Sequence, residues 1–162
     1  MADPVYNVLF LGAANSTRSI LAESILRKNG AGRFNAFSAA GVPEGQVNPC
    51  ALRVLTNFGY PTAGLRSKSW DEFTGAAAPV MDFVFTLCDS AAAQTCPIWP
   101  GNPITAHWGI EDPAAAQGTE LVKYMIFVSA LQRLRTRIGV FLSLPRTTID
   151  SMVFAARARQ AR

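Results

Sequence analysis

Cysteine is scarce in this chain. Three residues in 162 form an odd set, spread too thinly to staple a small fold. Charged side chains are sparse too, at 16% of residues, against 49% apolar and 10% aromatic. So much apolar material offsets ordering entropy by burial, which excludes a disordered chain. No apolar run approaches the roughly 18 residues of a membrane span. The opening MADPVYNVLF lacks the basic-then-apolar layout of a secretory signal. The expectation is a reducing, cytoplasmic setting with no membrane partner. A single histidine, His107, and scattered cysteines make no metal site by spacing. No metal is expected, and His107 reads as structural or as a pocket wall.

Basic residues outnumber acidic ones 15 to 11, a net charge of +4. That surplus suggests a polyanionic partner until it is located on the chain. Residues 133–162 hold seven arginines (133, 135, 137, 146, 157, 159, 162) against Asp150 alone, and the rest of the chain is slightly acidic. A basic terminal helix is commonly a solvated face. This one has no aromatic interleaving beyond Phe154, which argues against nucleic-acid binding.

Hydrophobic period supplies the architecture. Val5–Leu11 is a short apolar run ending at Gly12, as in a buried strand. Arg18–Asn29 switches to helical spacing, with Leu21, Ala22, Ile25 and Leu26 on one face. Glu23 and Arg27 pair four apart on another, and Gly30 is the stop. Phe34–Ala39 reads as a second strand. Asn48-Pro49 reads as an N-cap with proline at the first helical position, opening a helix through Phe58. Ser69-Trp70-Asp71-Glu72 fits a capping box. Asp82–Leu87 and Ile104–Trp108 are further strand candidates. A long helix runs from Thr119 to about Leu142, with Leu121, Tyr124, Val128, Leu131, Leu134, Ile138 and Phe141 as its apolar stripe. Pro145 ends it, and Thr147–Asp150 caps a last arginine-rich helix. Alternating strands and helices predict one α/β domain built on a parallel sheet.

The first strand and helix are joined by Gly12-Ala13-Ala14-Asn15-Ser16-Thr17-Arg18-Ser19. Small residues at a helix N-terminus let several backbone N–H groups converge on an anion, and Arg18 adds a planar fork of donors. An ordinary βα turn with Ser16 or Thr17 as N-cap is the competing interpretation, and on pattern alone the commoner one.

The run from Val8 to Glu23, VLFLGAANSTRSILAE, resembles the opening of the low-molecular-weight tyrosine phosphatase superfamily, and within it the arsenate reductase branch. Three later blocks match in order: Leu65–Phe73, Cys88–Gly101, and Thr105–Pro113. Arg137–Pro145 extends the likeness. The resemblance implies a four-stranded parallel sheet with helices on both faces and the anion loop at the end of the first strand. It implies a phosphatase/arsenate-reductase-like domain over residues 1–145, followed by an arginine-rich helix or tail over 146–162.

In that family a cysteine heads the loop and attacks phosphorus or arsenic. The matching position here is Gly12, which offers no atom for a covalent adduct. By the same resemblance Arg18 matches the oxyanion clamp, Asn15 the residue that shapes the loop, Ser19 the hydroxyl at the helix start, and Asp112 the general acid. Cys88 and Cys96 match the thiols that arsenate reductases add to the phosphatase frame, where they supply electrons and close a disulfide. Two inert thiols are the other interpretation of the pair, and Cys50 reads as core. Two functions follow as expectations. One is an arsenate-reductase-type protein working through Cys88 and Cys96, with no bound cofactor and an external thiol donor such as thioredoxin, glutaredoxin or glutathione. The other is a pseudoenzyme that binds arsenate, phosphate or sulfate in the loop without turnover.

Overall fold

A computed structural model describes residues 3–88 and 99–160. Four strands form one sheet: β1 (Tyr6–Leu11), β2 (Phe34–Ala39), β3 (Phe83–Thr86) and β4 (Ile104–His107). Their order is β2-β1-β3-β4 and every pairing is parallel. The helices are α1 (Arg18–Asn29), α2 (Pro49–Asn57), α3 (Glu120–Leu142) and α4 (Arg146–Gln160), with short 3-10 turns at Trp70–Phe73 and Pro113–Ala115.

Strand pleating divides the interior. Val8, Phe10, Phe83 and Phe85 point into the larger core, which the four α-helices cover. Leu9, Leu11, Val84 and Ala39 point the other way, onto Phe73, Met81 and Trp99. Helical structure therefore lies on both faces, the second covered by the turn at Trp70–Phe73. Aromatic rings knit the larger core: Phe85 stacks on Trp108 at 4.2 Å between centroids, and Phe141 meets Phe34 at 4.9 Å and Phe83 at 5.1 Å.

Local chemistry explains most boundaries. Asn48 accepts from the Cys50 N–H ahead of Pro49, and Thr119 accepts from the Val122 N–H to start α3. Three expectations change. Ser69 does accept from the Asp71 N–H, but the Glu72 carboxylate turns to Arg66 instead of back to Ser69, so a single 3-10 turn forms without the reciprocal capping box. The last helix starts at Arg146, directly after Pro145, which places Thr147–Asp150 inside it. On α3 the buried stripe is Phe127, Ala130, Leu131, Leu134, Ile138 and Phe141, while Leu121 is 68% exposed.

α4 buries Ile149, Val153 and Ala156. Polar contacts fasten it. The Tyr6 hydroxyl donates to Asp150, Arg157 pairs with the buried Asp82 carboxylate, and Asn102 Nδ2 donates to the Ala156 carbonyl.

Candidate oxyanion site

Because all four strands run the same way, the loops after them gather at one end of the sheet. β1 lies between β2 and β3, so the chain leaves it toward one neighbour and returns on its other side. The crevice formed there is the usual ligand position in such sheets. The segment 12–19 fills it.

Three outside segments shape this loop. Gly12 N–H donates to the Ala39 carbonyl at 3.1 Å. The Ala14 carbonyl accepts from the Glu44 N–H and the Ser67 hydroxyl, both at 2.9 Å, and the Ser16 carbonyl accepts from the Asn48 N–H at 2.9 Å. Those bonds commit the Ala14 and Ser16 carbonyls to groups outside the loop. Among the described residues, the N–H groups of Ala13 to Thr17 donate to no carbonyl or side chain.

Asn15 is the keystone. It sits at φ +51° and is 1% exposed. Its Nδ2 donates to Ser19 Oγ at 2.8 Å and its Oδ1 accepts from the Lys68 N–H at 2.9 Å. Asparagine suits a left-handed position because its short amide bonds locally. Lys68 is itself buried beside Glu23 (Nζ to Oε1, 3.7 Å), and Glu23 also takes Arg27 and the Ser38 hydroxyl. Burial lowers the pKa of the Lys68 ammonium, with the Glu23 carboxylate opposing that shift. No local sequence signal singles out Lys68, Ser67 or Ser38. Lys68 and Ser67 fall in a block recognised only by resemblance, and the Glu23–Arg27 spacing resembles an ordinary surface pair.

Thr17 occupies the N-cap position of α1, yet its side chain makes no cap bond. Its hydroxyl is buried and has no hydrogen-bond partner among the described residues. An ordinary capping threonine would spend that oxygen on a helix N–H, so the simple βα turn is not what has formed.

Arg18, 11% exposed, donates from Nη1 to the Ile110 carbonyl at 2.9 Å, and its Nη2 lies 3.8 Å from Asp112 Oδ2. The Ile110 N–H in turn bonds the Leu87 carbonyl, so the segment after β4 hangs from the end of β3. Gly12, Ala13, Ala14, Asn15, Ser16, Thr17, Arg18, Ser19 and Asp112 together line a cavity of about 30 Å³, room for a small occupant only.

Gly12 has an ordinary backbone conformation. A Cβ placed there would stand 2.9 Å from Ser19 Oγ, so the hydroxyl held by Asn15 uses the space a side chain would need.

Cys88 is buried one residue beyond Leu87, whose N–H donates to the Leu11 carbonyl. It therefore stands beside the start of the loop. Cys96 lies outside the described residues, although Trp99, three positions later, packs against Leu9, Leu11 and Val84. Cys50 is partly buried against the larger core, and burial raises the pKa of its thiol. His107 Nδ1 is 2.7 Å from Thr86 Oγ1 at the ends of β3 and β4. Among the described residues there is no cluster of three metal-ligating side chains, and no helix is long and apolar enough to cross a membrane.

Comparison with known proteins identifies the family and the fold. The model of the low molecular weight phosphotyrosine protein phosphatase family matches residues 7–149. An arsenate reductase of Halalkalibacterium halodurans is 35% identical over 132 residues, covering 82% of this chain and 88% of that protein. Among solved structures, an arsenate reductase in its phosphate-binding state superposes with a TM-score of 0.64 at 21% identity, over 94% of this chain and 99% of the other. A thioredoxin-dependent arsenate reductase of Corynebacterium glutamicum gives 0.60 at 21% identity, over 89% of this chain and 66% of the other.

Proposed function

Since the chain belongs to the low molecular weight phosphotyrosine protein phosphatase family and is similar to arsenate reductases, we propose that it is an arsenate-reductase-like protein whose loop 12–19 binds arsenate or phosphate, with no covalent step at the head of the loop. The observation that carries this is the Thr17 hydroxyl, buried and without a partner among the described residues, in a cavity lined by Arg18 and by loop residues whose N–H groups have no described acceptor. A tetrahedral oxyanion offers acceptors to all of them at once.

Gly12 stands where the family's nucleophilic cysteine belongs. Without a thiol there, no sulfur–arsenic or sulfur–phosphorus bond forms at that position. Without a thiolate, an entering anion meets no like charge beneath it, while the donors remain. Arg18 clamps the oxyanion, Asn15 and Ser19 hold the loop in shape, and Asp112 flanks the entrance.

The position of Cys88 beside the loop favours a second reading, in which reduction proceeds through thiols elsewhere. The Cys88 thiolate would form a bond to arsenic as hydroxide leaves arsenate with a proton. Cys96 would then attack the Cys88 sulfur, closing a disulfide and releasing arsenite with two more electrons than arsenate. A dithiol carrier of the thioredoxin or glutaredoxin type, or glutathione, would return the disulfide to thiols.

Arsenate reduction with thiol carriers separates the two. The backbone at Gly12 has no left-handed strain, so Gly12→Cys returns a thiol there, with its Cβ displacing the Ser19 hydroxyl from its bond to Asn15. An inactive native chain and an active Gly12→Cys variant support binding without covalent chemistry. Native turnover that disappears in Cys88→Ser refutes it in favour of relocated thiol chemistry.

A further inference from the structure

We infer that Asp112 makes the loop selective for oxyanions that still carry a proton, hydrogen arsenate and hydrogen phosphate, over fully deprotonated sulfate. This rests on the loop being an oxyanion site and goes beyond it by naming which anions it accepts.

The Asp112 side chain, 41% exposed, is anchored through one oxygen and faces Arg18 with the other. Oδ1 accepts from the Ala114 N–H at 3.0 Å, capping the Pro113–Ala115 turn, whose Pro113 is buried. Oδ2 faces Arg18 Nη2 at 3.8 Å. Swinging the carboxylate away would give up the bond from the Ala114 N–H that caps this turn. Arg18 is equally constrained, because Nη1 is committed to the Ile110 carbonyl. The cavity measures about 30 Å³, and among the described residues Asp112 is the wall contributed from outside the loop. An occupant gripped by Arg18 and by the N–H groups of residues 13–17 must therefore meet Oδ2 on its flank.

That meeting discriminates by proton inventory. An oxyanion with an O–H donates it to Oδ2, and the contact becomes a charge-assisted hydrogen bond. Sulfate at neutral pH has no hydrogen to offer, so two sets of anionic lone pairs face each other in a small, partly enclosed space. The Thr17 hydroxyl and the N–H groups serve both anions alike, because they only need acceptors. Among the described lining residues, selectivity therefore falls on the Asp112 carboxylate, a specificity obtained by repelling the wrong ligand.

The experiment is calorimetric titration of the native chain with inorganic phosphate, arsenate and sulfate at neutral pH and constant ionic strength, repeated on Asp112→Asn. The amide oxygen keeps the Ala114 bond while its NH2 replaces Oδ2, so the fold is retained and the preference changes. Phosphate and arsenate should bind alike and sulfate at least about tenfold more weakly. In Asp112→Asn the gap should close, chiefly through tighter sulfate binding. Equal native affinities for phosphate and sulfate, or an unchanged ratio in the variant, overturn the inference and leave the oxyanion site standing. No binding of any of the three anions overturns the site itself and this inference with it.

Discussion

Replacing Asn15 tests the construction of the loop most sharply, because one buried side chain carries two tasks there. Asn15→Ala removes the acceptor of the Lys68 N–H and the donor to Ser19 Oγ. A buried polar group left unpaired costs about 1–3 kcal/mol. Holding alanine at φ +51° costs about 1 kcal/mol more. The sum is about 3 kcal/mol, which for a chain of this size lowers Tm by ~10 °C. Asn15→Gly loses the same hydrogen bonds without the left-handed strain, so it should be less damaging by about 1 kcal/mol. Urea unfolding of the three proteins, compared at equal m-value, measures both steps. A cost below about 1 kcal/mol for Asn15→Ala would show that the loop is held by something other than this side chain. Glycine no better than alanine would remove strain from the account.

Other perturbations probe the surroundings. Glu23→Leu strands the Lys68 ammonium, 8% exposed, without its carboxylate and should cost about 3–5 kcal/mol in urea unfolding. Adding Lys68→Met should recover much of that, whereas strictly additive losses would show that the two are uncoupled. Burial and the bond to Asp150 push the Tyr6 phenol from 10.0 up to about 12. The unfolded chain then loses this proton first. Stability conferred below pH 10 is lost as the pH rises toward 12, and Tyr6→Phe should flatten that limb of a pH–stability curve. An alkaline limb unchanged in Tyr6→Phe would dissociate the Tyr6–Asp150 contact from folding.

Much of this arrangement was legible from residue order. The apolar run before Gly12, the helical spacing from Arg18 and the Asn48-Pro49 start are local signals, and the structure follows each of them. The contacts that build the site are not local. Asp150, expected in a cap, is drawn to Tyr6 across 144 positions, and Lys68 reaches Asn15 across 53. No periodicity reports such pairs. Glu23 shows the limit best. Its spacing to Arg27 is real, yet the side chain is buried because Lys68 and Ser38 meet it from other elements. Leu121 errs in the opposite direction. It continues the apolar stripe of α3 in sequence but is largely exposed to solvent.

The central claim is that loop 12–19 is an oxyanion site without a nucleophile. Its most direct measurement is a calorimetric titration of the native chain with arsenate, beside Arg18→Ala. Saturable binding that Arg18→Ala abolishes, with arsenate recovered unreduced in the presence of thiol carriers, is the predicted result. No heat at millimolar arsenate, or binding indifferent to Arg18, would contradict it.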